Sequence, residues 1–307
     1  MSYRKLSLLI LMTLFTFQNC DNTKSSQTTL KNTIQQETIE EESINQLWPS
    51  DYKTFERSTA LERLKTKISE QQDIVIHAFV PLCDNENQGI VPVSATLGNG
   101  LDLRNNLYWG AMYGIKSYFK NKTQWKILAT QKEVAPNILE RVVFYKKHPK
   151  GSHVYFVADA YRGDKIKPCL EDYFNSIAGK LSNTIKVEGQ SIAINGKADF
   201  LIFNGHNGLM DNEVEYVENA DNIIKDVAAI GCISHDYFKD HLKIAKGYPL
   251  LMTTNLMAPE AYVMEAVIES WLNLNTGAQI RVNTGKAYHK FQKCGLRGAT
   301  NLFRTGW

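Results

Sequence analysis

The sequence predicts an α/β fold, a three-layer α/β/α sandwich around a mostly parallel central sheet. Three observations lead to the layers and the sheet. Short, nearly continuous apolar runs such as Ile74–Leu82 (IVIHAFVPL) and Ala198–Phe203 (ADFLIF) have the composition of strands buried on both faces. Stretches with helical spacing of apolar residues separate them, and alternating strand and helix is the pattern of a parallel sheet covered on both sides. Finally, 43% apolar and 22% charged residues over 307 positions supply enough apolar surface for one sizeable core.

The chain ends differ from this body. Arg4 and Lys5 precede an apolar run, Leu6–Phe17 (LSLLILMTLFTF), of about a dozen residues. That is the length of a secretory h-region and too short to cross a hydrocarbon core of roughly 30 Å. The run stops at Gln18-Asn19-Cys20, which resembles the lipobox of bacterial lipoproteins. The resemblance implies a signal peptide over 1–20, lipidation of Cys20, and an exported protein tied to the cell envelope, on its periplasmic or outer-membrane face, only through that lipid. Residues 21–50 are polar and bury too little surface to offset their ordering entropy, so they read as a tether. Residues 51–307 then form a single α/β domain with peripheral C-terminal additions.

Within that domain, Phe55, Leu61, Leu64 and Ile68 fall at near-helical spacing and predict one amphipathic helix over Asp51–Ser69. The strand Ile74–Leu82 follows, then a long Gly/Asn-rich loop, Cys83–Asn106, and a helix over Leu107–Phe119 (LYWGAMYGIKSYF). Trp125–Ala129, Val142–Tyr145 and His153–Tyr161 (HVYFVADAY) read as strands, and Pro168–Leu181 as a helix. Ser191–Ala193 belongs to a small hairpin arm. Ala198–Phe203 and Val227–Gly231 are core strands, with a helix over Ser234–Ala245 after the second. Pro249–Thr254 is the last core strand, Ala258–Leu272 a long helix, and the basic, Gly-rich tail from Asn275 a hairpin-like piece and a final helix.

Two strand ends carry chemistry. His206 follows one apolar strand and Cys232 the next, so both fall at the carboxyl edge of the sheet, where α/β proteins bind ligands. A cysteine is a nucleophile as its thiolate, and a neighbouring imidazole can take its proton. Gly205, Gly208 and Gly231 allow the backbone to turn sharply and to approach a reacting carbonyl. Backbone N–H donors aimed at a developing oxyanion are worth about 3 kcal/mol each. The alternative imidazole is His235, three residues past Cys232 on the first turn of a helix, where a solvated side chain is expected.

The segments FLIFNGHNG and AAIGC resemble the caspase–gingipain–legumain superfamily of cysteine peptidases. There a His-Gly motif follows one core strand and a cysteine follows the next. The downstream YPLLMTTNLMAPEAYVMEAV resembles that family's following strand and helix, so the strand order is shared over about 74–272. The resemblance implies His206 as general base and acid and Cys232 as nucleophile. It places the oxyanion hole at the backbone N–H groups of Cys232 and Asn207 or Gly208. A specificity pocket is expected from Asp84, Arg104 and Asp159. The substrate would be a peptide or protein, and no cofactor or metal is implied. One departure stands out: the family has glycine directly after the histidine, and here Asn207 occupies that place. It motivates a second expectation, a non-catalytic module of the same fold that binds protein or glycan in the same cleft.

Other chemistries lack their patterns. There is no G-x-S-x-G elbow and no phosphate-binding G-x-x-x-x-G-K-[ST] loop. Phe238 stands where a phosphatase-type cysteine needs arginine. Zinc on His206, Cys232 and His235 has no supporting ligand spacing. A net charge of +3 without a basic stripe excludes an evident nucleic-acid surface. The aromatic stretch from Leu107 offers a sugar-stacking platform or core. Setting Cys20 aside for lipid leaves Cys83, Cys169, Cys232 and Cys294, and a catalytic Cys232 allows at most one disulfide among the rest.

Overall fold

The computed structural model describes residues 48–307; the leader, Cys20 and residues 21–47 of the tether lie outside the described residues. The elements are α1 (Ser58–Ser69), β1 (Ile74–Pro81), α2 (Ile115–Lys122), β2 (Lys126–Ala135), β3 (Ile138–Lys147) and β4 (His153–Tyr161). They continue as α3 (Ile166–Ile177), β5 (Ser182–Val187), β6 (Gln190–Asn195), β7 (Phe200–Asn204), β8 (Lys225–Ile230) and α4 (Ser234–Ala245). The chain closes with β9 (Gly247–Thr253), α5 (Ala261–Leu272), α6 (Gly277–Gln292), α7 (Leu296–Leu302) and the short β10 (Phe303–Arg304).

Eight strands form one mixed sheet in the order β10-β9-β8-β7-β1-β4-β3-β2. The central five, β9 to β4, run parallel, while β3 and β10 pair antiparallel at the two flanks. Alternation along β1 builds both cores. Ile74, Ile76, Ala78 and Val80 pack with α1, α2, α5, α6 and α7. Val75 and Phe79 pack on the other face with α3, α4 and the β5–β6 arm. The result is the α/β/α sandwich expected from the sequence. From β1 the chain goes first to β4 on one side and later to β7 on the other, so the strand order reverses around β1. Such a reversal opens a crevice at the carboxyl edge.

Several elements differ from the sequence reading, each for a physical reason. The helix expected over 107–119 begins only at Ile115. A Cβ on Gly110 would stand 2.2 Å from the Arg104 carbonyl oxygen, and one on Gly114 2.5 Å from the Trp109 carbonyl carbon. These glycines let the chain fold back on itself in turns, which a helix would not allow. The aromatics Tyr108, Trp109, Tyr118 and Phe119 are all buried, so they are core and offer no sugar platform. The strand β2 extends well past the expected 125–129; its residues are largely exposed, as an edge strand's are, and carry little apolar signal. The hairpin arm is longer than 191–193 and turns at Glu188-Gly189, both at positive φ, the geometry of a two-residue primed turn. Instead of a hairpin, the tail forms α6, opened by a Thr276/Gln279 capping box. Gly285 in α6 allows the close approach of Thr300, whose Oγ1 lies 2.6 Å from where a Cβ would be.

Candidate active site

Asn204 of β7 lies opposite Ile230 of β8, so His206 and Cys232 stand two residues beyond this last pair on neighbouring parallel strands. Adjacent strands are about 4.8 Å apart, which brings the two turns into contact. Gly205 N–H donates to Ile230 O at 3.1 Å. A Cβ on Gly231 would meet Gly205 O at 2.8 Å, so glycine at 231 is required by backbone approach. Immediately after Cys232, Ile233 adopts φ 50° and ψ 32°. A β-branched residue in the left-handed region is strained by roughly 1–3 kcal/mol, and such strain gathers at functional turns. This turn drives the chain from β8 directly into α4 and leaves Cys232 half-buried at the sheet edge.

The thiol accepts the Met257 N–H at 3.3 Å and donates to Met257 O at 3.4 Å, so the loop after β9 holds it. His206 is 6% exposed, and its Nε2 pairs with an Asp211 carboxylate oxygen. Asp211 also accepts the Gly89 N–H at 3.1 Å, tying the long loop after β1 to the histidine. With Nε2 engaged, Nδ1 is the ring nitrogen left to exchange a proton with a thiol. Among the described residues no hydrogen bond joins His206 to Cys232; each is bonded elsewhere, His206 to Asp211 and Cys232 to Met257. Sequence reasoning missed Asp211, because a carboxylate five residues on in an irregular loop has no periodic signal.

Asn207 is fully buried at an ordinary φ of −76°. Its Nδ2 donates to Cys232 O at 2.7 Å, and its Oδ1 accepts the Leu209 N–H at 3.2 Å. The residue that departs from glycine therefore ties the histidine turn to the cysteine turn. The backbone N–H groups of Cys232, Asn207 and Gly208 have no acceptor among the described residues. Gly208 presses on α3, where a Cβ would lie 2.7 Å from Ile166. Two residues before His206, Asn204 donates to Pro259 O at 2.9 Å while its buried Oδ1 has no partner among the described residues.

The three residues expected to form a specificity pocket do not converge. Asp84 is buried and turned into its own loop, accepting Glu86 N–H, Asn87 N–H and Asn87 Nδ2. Arg104 is exposed. Asp159 is 1% exposed and lies inside the sheet, where Arg141 grips both its oxygens at 2.6 Å and His77 bonds it at 3.0 Å. Burial alone would raise its pKa, but His77 and Arg141 outweigh that and hold the carboxyl below its ordinary range. Asp159 is therefore a structural charge: it stands two residues before the end of β4, and the alternation of the strand turns it inward. Arg162, three residues later, instead pairs with Asp164 beside a cavity of about 590 Å³ between the loops after β1 and β4.

His235 bonds its neighbour Asp236 at 2.8 Å on the first turn of α4. Among the described residues no three His, Cys, Asp or Glu side chains converge as metal ligands. The four described cysteines are free thiols. Burial pushes the Cys83 thiol up to about 11, partly offset by a hydrogen bond from Tyr108. Comparison with protein-family models, with curated proteins and with solved structures finds no match to this chain.

Proposed function

We propose that the protein is a caspase-like cysteine endopeptidase, exported and tethered through Cys20, with Cys232 as nucleophile and His206 as general base and acid. The observation that carries the reading is the parallel register of β7 and β8, which sets the two residues at one level on adjacent strand ends. His206 Nδ1 takes the thiol proton, while Asp211 orients the ring and stabilises the imidazolium. The thiolate then leaves its Met257 contacts and attacks the scissile carbonyl. The N–H groups of Cys232 and of Asn207 or Gly208 donate to the oxyanion. Collapse breaks the C–N bond, and His206 returns the proton to the departing amine. Water, deprotonated by His206, hydrolyses the thioester and restores the thiol.

A second reading, a pseudoenzyme binding protein or glycan in the same place, is favoured by the thiol's engagement with Met257 on both its donor and acceptor sides. Thiol labelling of the full chain with iodoacetamide separates the two. The peptidase reading expects Cys232 to label faster than the exposed Cys294, and His206→Ala to slow Cys232 alone. Equal or slower labelling of Cys232, unchanged by His206→Ala, supports the pseudoenzyme.

A further inference from the structure

Ten large apolar side chains are exposed among the described residues, and seven of them lie in the segments that follow the parallel strands; setting aside Ile223, which stands two residues before β8, leaves six. Val91, Leu101 and Met112 are in the loop after β1, Met210 is in the turn after β7, Tyr237 is on the first turn after β8, and Leu256 is in the loop after β9. Val91, Leu256 and Met112 are 87%, 66% and 65% exposed. Exposed large apolar side chains on the loops around one site form an apolar rim, the kind of feature a binding surface presents.

Their neighbours are the residues of the candidate site. Leu256 precedes Met257, whose backbone holds the Cys232 thiol, and Asn255 O accepts the Ile233 N–H at 3.1 Å. Tyr113 O, one residue past Met112, accepts the Ala261 N–H at 2.8 Å, which brings Met112 beside the same loop. On the other side, Met210 precedes Asp211, the partner of His206, and its turn packs against α3 and α4. Val91 lies two residues past Gly89, which also bonds Asp211. Apolar side chains thus flank the thiol from the β9 side and the imidazole from the α3/α4 side.

We infer that this rim is the substrate-binding surface of the Cys232/His206 centre and takes a polypeptide bearing large apolar side chains on both sides of the scissile bond. The inference rests on the peptidase reading for the place of cleavage. Leu256 and Met210 directly adjoin the residues that hold the thiol and the imidazole, which argues for a substrate chain as the occupant. Charge offers less, because Asp84 and Asp159 are consumed by internal bonds and Arg162 by Asp164, which leaves the exposed Arg104 of the expected pocket.

The test uses the full chain carrying Cys232→Ala and fluorescent decapeptides with Leu and Phe in the four central positions, against the same peptides with Ser, Asp or Lys there. The expected result is apolar peptides bound at least about tenfold more tightly, with Leu256→Ser and Met210→Ser each removing roughly tenfold, the size expected for one buried side chain. Equal binding of polar peptides, or no loss in either variant, overturns the inference. So does a dimer in sedimentation that Leu256→Ser converts to monomer, because a second copy would then be the occupant. Cleavage by the unsubstituted chain is measured in parallel. Apolar binding without cleavage removes the peptidase reading alone, and cleavage without apolar preference removes this inference alone.

Discussion

Replacing Asp159 by asparagine keeps its shape and deletes the charge that Arg141 and His77 share. The guanidinium is 8% exposed at the side chain and has both its Nε and an Nη bonded to this carboxylate. His77 is fully buried, and its Nδ1 accepts the Asn195 N–H at 3.1 Å, so its Nε2–H is committed to Asp159. Removing one partner of a buried pair leaves an uncompensated charge and costs about 3–5 kcal/mol. For a domain of this size each kcal/mol lowers Tm by roughly 2–4 °C, giving a fall of about 6–20 °C. The pH dependence has a definite sign. Asp159 has a folded pKa below its unfolded one, so its stabilisation is complete above the ordinary carboxylate pKa of about 3.9 and is lost as pH falls through the lower folded value. Urea unfolding by circular dichroism, at neutral pH and down the acid limb, reads both effects. Replacing Arg141 by Met together with Asp159→Leu should recover most of the loss, since a packed apolar pair is often neutral. A change of less than about 0.5 kcal/mol in Asp159→Asn, the range of a surface site, would refute the structural role. So would altered peptide selectivity at unchanged stability, which would return Asp159 to the cleft.

Four further outcomes are expected. His241 is buried between Phe174 and Tyr216, its Nδ1 has no partner among the described residues, and burial lowers its pKa to about 4. The unfolded state then binds the proton more readily, so stability is full above the unfolded pKa of about 6.5 and falls by ~3 kcal/mol as pH drops towards 4; His241→Phe should flatten that slope in urea titrations. Gly231→Ala forces a Cβ to 2.8 Å from Gly205 O, which should cost roughly 1–3 kcal/mol in denaturant unfolding and about a hundredfold in any cleavage rate, as the two turns shift apart. Asp211→Asn should leave Tm nearly unchanged while lowering kcat by roughly a hundredfold, seen in peptide hydrolysis, because the imidazole loses its orienting partner. Cys83 should resist alkylation at pH 7, where a thiol raised to about 11 is almost wholly protonated; mass spectrometry of the native chain checks this.

The central strands and the two candidate residues were legible because burial on both faces leaves continuous apolar runs, and His153–Tyr161 and Ser234–Ala245 match their elements end to end. Half-exposed elements were harder. The strand β2 reads as an edge of mixed polarity, and the aromatics of 107–119 mimic a helix stripe while two glycines fold the chain into turns. The turn chemistry of the site was visible only in part. Gly231 signals a tight turn, but the strained Ile233 carries no composition cue, since isoleucine ordinarily marks a strand. Asp159 lies near the end of an apolar strand as a catalytic carboxylate would, and only the register that brings Arg141 and His77 to it reveals an internal ion network. Asn207 looked like a lost glycine, and its two hydrogen bonds show why a side chain is useful there.

The most direct measurement is hydrolysis of a peptide library by the full chain, its Cys232→Ala variant and its His206→Ala variant, followed by mass spectrometry. The expected result is cleavage by the unsubstituted chain, its loss in both variants, and a transient acyl mass confined to the Cys232 peptide. Cleavage that persists in Cys232→Ala, or an acyl group carried by any other residue, would contradict a peptidase built on these two strand ends.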